Sequence, residues 1–316
     1  MSGFDTVITA VLPVFVVVLM GLALRKINWL TEEADQSLIR LTVNILQPAL
    51  ILDSVLKNDA LKQASNVVLP PALGFGLCAA GMLVAFFLAK VWGLKERQSA
   101  GTFGLCAGLQ NYGYVPIPLV IALFHPETLG VLFVHNLGVD TAMWTIGLMM
   151  IRPPGQGAAW KRLLSAPVLA IVAGVVLNFT EAYHFIPRFA MDTIHMVGLC
   201  ALPMGLILVG ATMADQLKGF QSRQGLGVMA GACVVRLGLL PLLFLVVAKY
   251  APLSIELKRV LVVQAAMPSA VFPVVMAKHF GGDQGTAIRV VAATAIVSLL
   301  TIPLWLKFGL EWVGGN

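Results

Sequence analysis

Apolar residues along this chain gather into ten long stretches separated by short polar connections. The stretches are Val7–Leu24, Leu38–Leu56, Val67–Val91, Ala100–Phe124, Thr128–Ile151, Leu163–Phe179, Thr193–Met213, Gly227–Ala248, Val260–Phe280 and Thr286–Trp305. About 20 apolar residues carry a helix across the hydrocarbon core. The pattern therefore predicts an all-α membrane protein of ten transmembrane helices, spans one to ten. No connection is long enough for a separate soluble domain.

Composition agrees with this reading and narrows it. Of 316 residues, 59% are apolar and 11% charged, with mean hydropathy +0.89. Soluble domains carry about 25% charged residues, so a soluble enzyme, a nucleic-acid partner and disorder are excluded despite the net charge of +6. The basic residues instead report orientation. Thirteen Lys/Arg flank the odd-numbered connections, and seven flank the even ones and the termini. That bias puts the odd connections in the cytoplasm and both termini outside, in a cell (inner or plasma) membrane. The first stretch follows no basic region and ends in Arg25-Lys26 without a small-residue cleavage site, so it reads as a retained span. Cys78, Cys106, Cys200 and Cys233 lie in apolar runs without metal spacing and read as packing residues.

An internal repeat sets the expected architecture. Pro13 has a counterpart in Pro167 at an offset of 154, and Pro48 in Pro203 at 155. Gln110 matches Gln264 at 154, and Thr141-Ala142 with Thr145 matches Thr294-Ala295 with Ser298 at 153. Two five-span halves follow, residues 1–151 and 163–316, joined by a cytoplasmic linker at 152–162. An odd number of spans per half inverts the second half, the sequence mark of alternating-access transporters.

Spans four and nine are interrupted. Gly113, Pro116 and Pro118 stand at the centre of the first, and Pro268 and Pro273 at the same depth of the second. Proline removes a backbone donor and clashes with the preceding turn, and glycine tolerates unwound backbone. Such backbone survives at mid-membrane only where protein or a water-filled cavity satisfies it. Half-helices starting there direct partial positive charge inward and suit a carboxylate. Asn111, Tyr112, Gln264, Met267 and Ser269 line the same stretches. In spans two and seven, Asn44, Pro48 and Pro203 mark further breaks.

Two charges lie at mid-depth, where burial costs at least ~2.5–3.5 kcal/mol. Asp140 in span five reads as a protonatable or sodium-binding coupling group; its alternative is a structural ion pair with Arg236 or another polar partner. Arg236 in span eight reads as a brace for half-helix carbonyls, with direct anion contact as the alternative. Asn136 either lines a cavity or bonds another helix, and His135 and His195 read as packing residues. No nucleophile elbow or phosphate loop occurs. No enzyme activity, metal or cofactor is expected beyond a coupling Na+ or H+.

The segment "QAAMPSAVFPVVMAKHF" resembles the crossing segment of the auxin efflux carrier family, and Asn111 through Ile117-Pro118-Leu119 resembles that family's asparagine followed by I-P-L. Arg236 followed by Pro241 looks like its R-x-x-x-x-P in span eight. The resemblance implies an inverted 5+5 fold like that of bile-acid and sodium–proton transporters. Spans one, two, six and seven would form a panel domain, and spans three to five and eight to ten a transport domain. It further implies an organic-anion substrate, such as malonate, malate or an auxin-like acid, at Asn111, Pro118, Gln264, Pro268 and Pro273. Asp140 takes the place of a glutamine in plant carriers, which favours proton or sodium coupling. The expected partners are a small organic anion, membrane lipid and a possible second copy in a homodimer. The rivals are a cation exchanger of the same fold and, in another class, an intramembrane enzyme or sensory receptor.

Overall fold

The structure, a computed structural model, describes residues 3–152, 164–218 and 225–314. Most of the predicted linker, with Lys161 and Arg162, and Arg223 lie outside the described residues. The described chain is helical. Its elements are α1 (Gly3–Lys26), α2 (Glu32–Val55), α3 (Ser65–Trp92), α4 (Arg97–Gly108), α5 (Pro116–Leu123), α6 (Pro126–Ile151), α7 (Ala166–Phe179), α8 (Arg188–Gln216), α9 (Leu226–Tyr250), α10 (Ile255–Ala266), α11 (Phe272–Phe280) and α12 (Gln284–Val313). Seven of these, α1, α2, α3, α6, α8, α9 and α12, are long and apolar enough to cross a membrane. The chain is therefore an integral membrane protein. Helix α7 is shorter, with 14 residues. The fourth and ninth stretches are each divided, into α4 and α5 and into α10 and α11.

Local chemistry explains where observed bounds depart from the hydropathy pattern. Helix α2 starts at Glu32, six residues before the apolar run, because Glu32, Glu33 and Asp35 suit the positive N-terminal end. Helix α12 begins after Asp283, whose side chain accepts the Thr286 N–H at 3.0 Å. It then continues past Lys307 and Glu311 to Val313, where the apolar pattern had already faded.

Among the described residues three helices contain a π-helical turn: Thr42–Leu46 in α2, Met143–Gly147 in α6 and Val235–Leu239 in α9. Such turns are rare and gather at functional positions. The third holds Arg236, and Asp140 lies just before the second. Helix α8 is interrupted at Cys200, three residues before Pro203.

Lipid tails are as apolar as the helix faces, so packing depends on close backbone approach. A side chain at Gly138 in α6 would overlap the Pro71 carbonyl of α3, and one at Gly210 in α8 the Val18 carbonyl of α1. Polar contacts collect at the two ends of α2. At the Arg25 end, Arg25 pairs with Asp35 at 2.5 Å and Asp215 at 3.2 Å. Near the α4 and α12 starts, Ser99 donates to Asp283 at 2.7 Å. At the Asn58 end, Asn58 donates to the Glu127 carbonyl at 3.2 Å, and Asn178 donates to the Asn58 carbonyl at 2.9 Å. Ser254 donates to Asn66 there at 2.5 Å.

Candidate functional site

The two divided helices cross at their breaks. Helix α4 stops because Leu109 takes an extended conformation (φ −95°, ψ 115°), and α10 stops because Met267 does the same (φ −74°, ψ 141°). Gln110 and Ser269 then form an antiparallel bridge, isolated among the described residues. The Asn111 N–H donates to the Pro268 carbonyl at 2.7 Å, and the Ala270 N–H donates to the Leu109 carbonyl at 3.0 Å. The bonds are mates under exchange of the two segments. Each break supplies the partners the other lacks, which removes the penalty of unpaired backbone in a dry interior.

Side chains from neighbouring helices fix the breaks. Asn136 of α6 donates to the Tyr112 carbonyl at 2.9 Å and accepts from Gln264 at 3.4 Å. Thr294 of α12 accepts the Ser269 N–H at 3.3 Å, and Cys78 of α3 donates to Gln110 Oε1 at 3.1 Å. Asn111 Oδ1 accepts the Gly113 N–H at 3.3 Å. A side chain added at Gly113 would meet nothing within 4 Å, so the break borders open space. Gln110, Gln264, Met267 and Ser269 are almost wholly buried, and Asn111 is 9% exposed. Gln110 Nε2, Gln264 Oε1 and Ser269 Oγ have no partner among the described residues. Buried polar atoms are ordinarily satisfied, so the crossing retains hydrogen-bonding capacity.

The half-helix starts are poorer in donors than simple dipole reasoning suggests. Pro116 and Pro118 occupy the first and third positions of α5 and carry no N–H, which leaves Ile117 as the donor among those three. In α11, Pro273 occupies the second position.

The mid-depth charges occupy different settings. The Tyr112 hydroxyl donates to Asp140 Oδ1 at 2.5 Å, tying the carboxylate to the first break. Arg236 is fully buried, and among the described residues no carboxylate lies within 4.0 Å of it. One guanidinium nitrogen donates to the Ala265 carbonyl at 3.5 Å, and the group lies 5.6 Å from the Phe244 ring centroid. Its Nε and Nη1 have no partner among the described residues. Ala265 is in the last turn of α10, where carbonyls lack helical partners. The Asp140–Arg236 pair weighed from sequence does not form.

The predicted residues thus divide. Asn111, Tyr112, Gly113, Gln264, Met267, Pro268, Ser269, Pro116, Pro118 and Pro273 form the two breaks and their restarts. Gln110 and Gln264 do not correspond across the crossing, although they match in sequence. Gln110 lies two residues beyond the end of α4 and faces Ser269, whereas Gln264 lies two residues before the end of α10. Asn44 and Pro203 are exposed, with Asn44 donating to the Arg40 carbonyl at 2.9 Å. Pro48 opens the second half of α2, and its neighbour Gln47 accepts from the Tyr114 hydroxyl at 3.2 Å. Sequence reasoning missed Cys78, Thr294, Gln47 and Tyr114 as neighbours of the crossing. Gln47, beside a predicted break, carried the clearest signal of these.

Comparison with known proteins places the chain in a family. A family model described as membrane transport protein matches residues 6–162 and 158–306. A protein of Methanothermobacter thermautotrophicus, named an uncharacterized transporter, is 27% identical over 303 residues, covering 93% of this chain and 96% of its own. An uncharacterized transporter of Methanocaldococcus jannaschii is 24% identical with the same coverage. One of Schizosaccharomyces pombe is 31% identical over 117 residues, covering 37% of this chain and 26% of its own. With the family model matched along nearly its full length, the chain is a membrane transport protein of the auxin efflux carrier family.

Proposed function

We propose that this protein is a secondary transporter of small organic anions that binds a carboxylate at the crossing and works by alternating access. The observation that carries the reading is the reciprocal pair of backbone bonds between Leu109–Asn111 and Pro268–Ala270. Backbone unwound at the centre of two apolar helices, with unpartnered polar side chains beside it, is the usual setting of a transporter binding site.

The proposal includes ten crossings in two inverted halves. The end-to-end contacts support it, because they join connections of like parity: Asn58 with Glu127 and Asn178, Asn66 with Ser254, and Arg25 with Asp215. In this reading α1, α2, α7 and α8 form the panel, α3 to α6 and α9 to α12 form the moving part, and the Asn58 end faces outside.

Charge favours an anion over a metal cation. The C-terminal end of α10 would present negative potential to the crossing, and Arg236 offsets it at the Ala265 carbonyl. Asn111, Ser269 and the Ile117 N–H supply donors, and Gln264 fixes the second break through Asn136. Asp140 acts as the coupling group, taking H+ or Na+ and passing its state to the break through Tyr112. Thermal-shift measurement across carboxylates and across alkali cations tests the reading. Stabilisation by a carboxylate is expected; stabilisation by cations alone assigns the site to cation exchange instead.

A further inference from the structure

The contacts between the two proposed helix groups share a construction. Asn58, just after α2, lies on Gly130 of α6, where an added Cβ would overlap its amide nitrogen. The same nitrogen donates to the Glu127 carbonyl at 3.2 Å and the Ser54 carbonyl at 3.0 Å. Tyr114, in the break between α4 and α5, lies on Gly205 of α8, where an added Cβ would overlap its ring. Its hydroxyl donates to Gln47 of α2 at 3.2 Å. One polar knob thus comes from each group and sits on a glycine of the other, with a hydrogen bond across the boundary.

Both interlocks lie on the Asn58 side of the molecule or at its middle. In that half of α2, Leu50, Ile51 and Val55 are buried. In the opposite half, Glu32–Leu41, no residue is buried. At the Arg25 end, Arg25 pairs with Asp35 and Asp215 inside the panel, and Ser99 and Thr102 bond Asp283 inside the moving part. The two glycine interlocks thus fasten the boundary on the Asn58 side and at the middle.

We infer that Asn58 and Tyr114 are the gate residues that hold the transporter shut on the Asn58 face, with Gly130 and Gly205 as their seats. The inference rests on the alternating-access reading and adds the residues that must part when the other conformer forms. Loss of one seat acts on the closed conformer alone, because the knob has no room beside a methyl group there. The opposite conformer, with the boundary parted, has no such clash, so the populations shift toward it.

The test is a pair of spin labels at Asp59→Cys and His125→Cys, one on each group at the Asn58 face, with Cys200 and Cys233 replaced by Ala. Gly130→Ala and Gly205→Ala are each expected to raise the ratio of long to short distances about fivefold. Asn58→Ala and Tyr114→Phe, which add no bulk, are expected to raise it less. Unchanged distances in folded, monodisperse seat variants would overturn the gate. So would an equal lengthening between two labels within the panel, which would mean general loosening. If carboxylate uptake persists while the distances stay fixed, the gate fails alone; if the unaltered protein moves no carboxylate, the transport reading itself fails.

Discussion

The phenol of Tyr112 donates to the carboxylate of Asp140 at 2.5 Å, and the carbonyl of the same tyrosine accepts from Asn136 at 2.9 Å. A change of charge or ion occupancy at Asp140 therefore acts directly on the first break. Asp140→Asn is expected to abolish acceleration of uptake by an imposed proton or sodium gradient while leaving exchange at equal gradients. Tyr112→Phe keeps the ring and removes the donor, and is expected to weaken the same dependence partially. Full dependence on both gradients in Asp140→Asn would remove Asp140 from the coupling role.

Arg236 lies against the carboxyl end of α10 with no carboxylate within 4.0 Å among the described residues. Replacing it with Met leaves no orphaned partner charge, so the protein should fold. Offsetting a helix end contributes up to ~2 kcal/mol in buried settings, equivalent to about 30-fold in affinity. Arg236→Met is expected to weaken carboxylate binding by about 10- to 30-fold, read by ligand titration of the melting temperature. Affinity within twofold of the unaltered protein would show that the guanidinium does not shape the site.

Two carboxylate contacts of similar length should differ in weight. The Arg25 side chain is 2% exposed where it meets Asp35, whereas His195 is 59% exposed where it meets Asp53 at 2.9 Å. Removing a partner of a buried charge costs about 3–5 kcal/mol, and an exposed pair contributes under about 1 kcal/mol. Asp35→Asn is expected at the lower end of the first range, because Asp215 remains beside Arg25. Asp53→Asn should scarcely move the melting temperature. Equal shifts in the two variants would contradict the burial reasoning.

Asp283 caps α12 outside the membrane-spanning segments. Burial alone would raise its carboxyl pKa, but bonds from the Ser99 hydroxyl, the Thr286 N–H and the Thr286 hydroxyl, with Arg289 nearby, bring it below the ordinary 3.8. A depressed folded-state pKa stabilises above the unfolded value and is lost as pH falls through the folded one. Asp283→Asn keeps a capping oxygen but loses the acceptor of the Ser99 and Thr286 hydroxyls, and is therefore expected to destabilise at pH 7 by about 1 kcal/mol. The difference should shrink only below about pH 4, as the unaltered protein protonates. A deficit that stays constant through acid would rule out the carboxylate as its source.

Much of this was legible in the chain because a membrane helix writes itself as an apolar run and its break as Pro and Gly. Residues 109–118 and 267–273 were found that way. The register of the crossing was not. It depends on where α4 and α10 stop, which the extended conformations of Leu109 and Met267 decide and hydropathy does not encode. The match of Gln110 with Gln264 consequently falls four residues, about one helical turn, from the correspondence of the two breaks. Asp140 and Arg236, equal in depth, suggested each other as partners. A phenol 28 positions from Asp140 took that place instead. The seats at Gly130 and Gly205 were invisible for a related reason, since a glycine under a neighbour's side chain looks in sequence like any other glycine.

The central claim, a carboxylate carried at the crossing, is tested most directly by radiotracer uptake in proteoliposomes. The protein would be offered malonate, malate and an auxin-like acid under imposed pH and sodium gradients. The account predicts saturable accumulation of a carboxylate that depends on a gradient and is lost in Asn111→Ala. Movement of protons or sodium with no carboxylate accumulated under any gradient would contradict it.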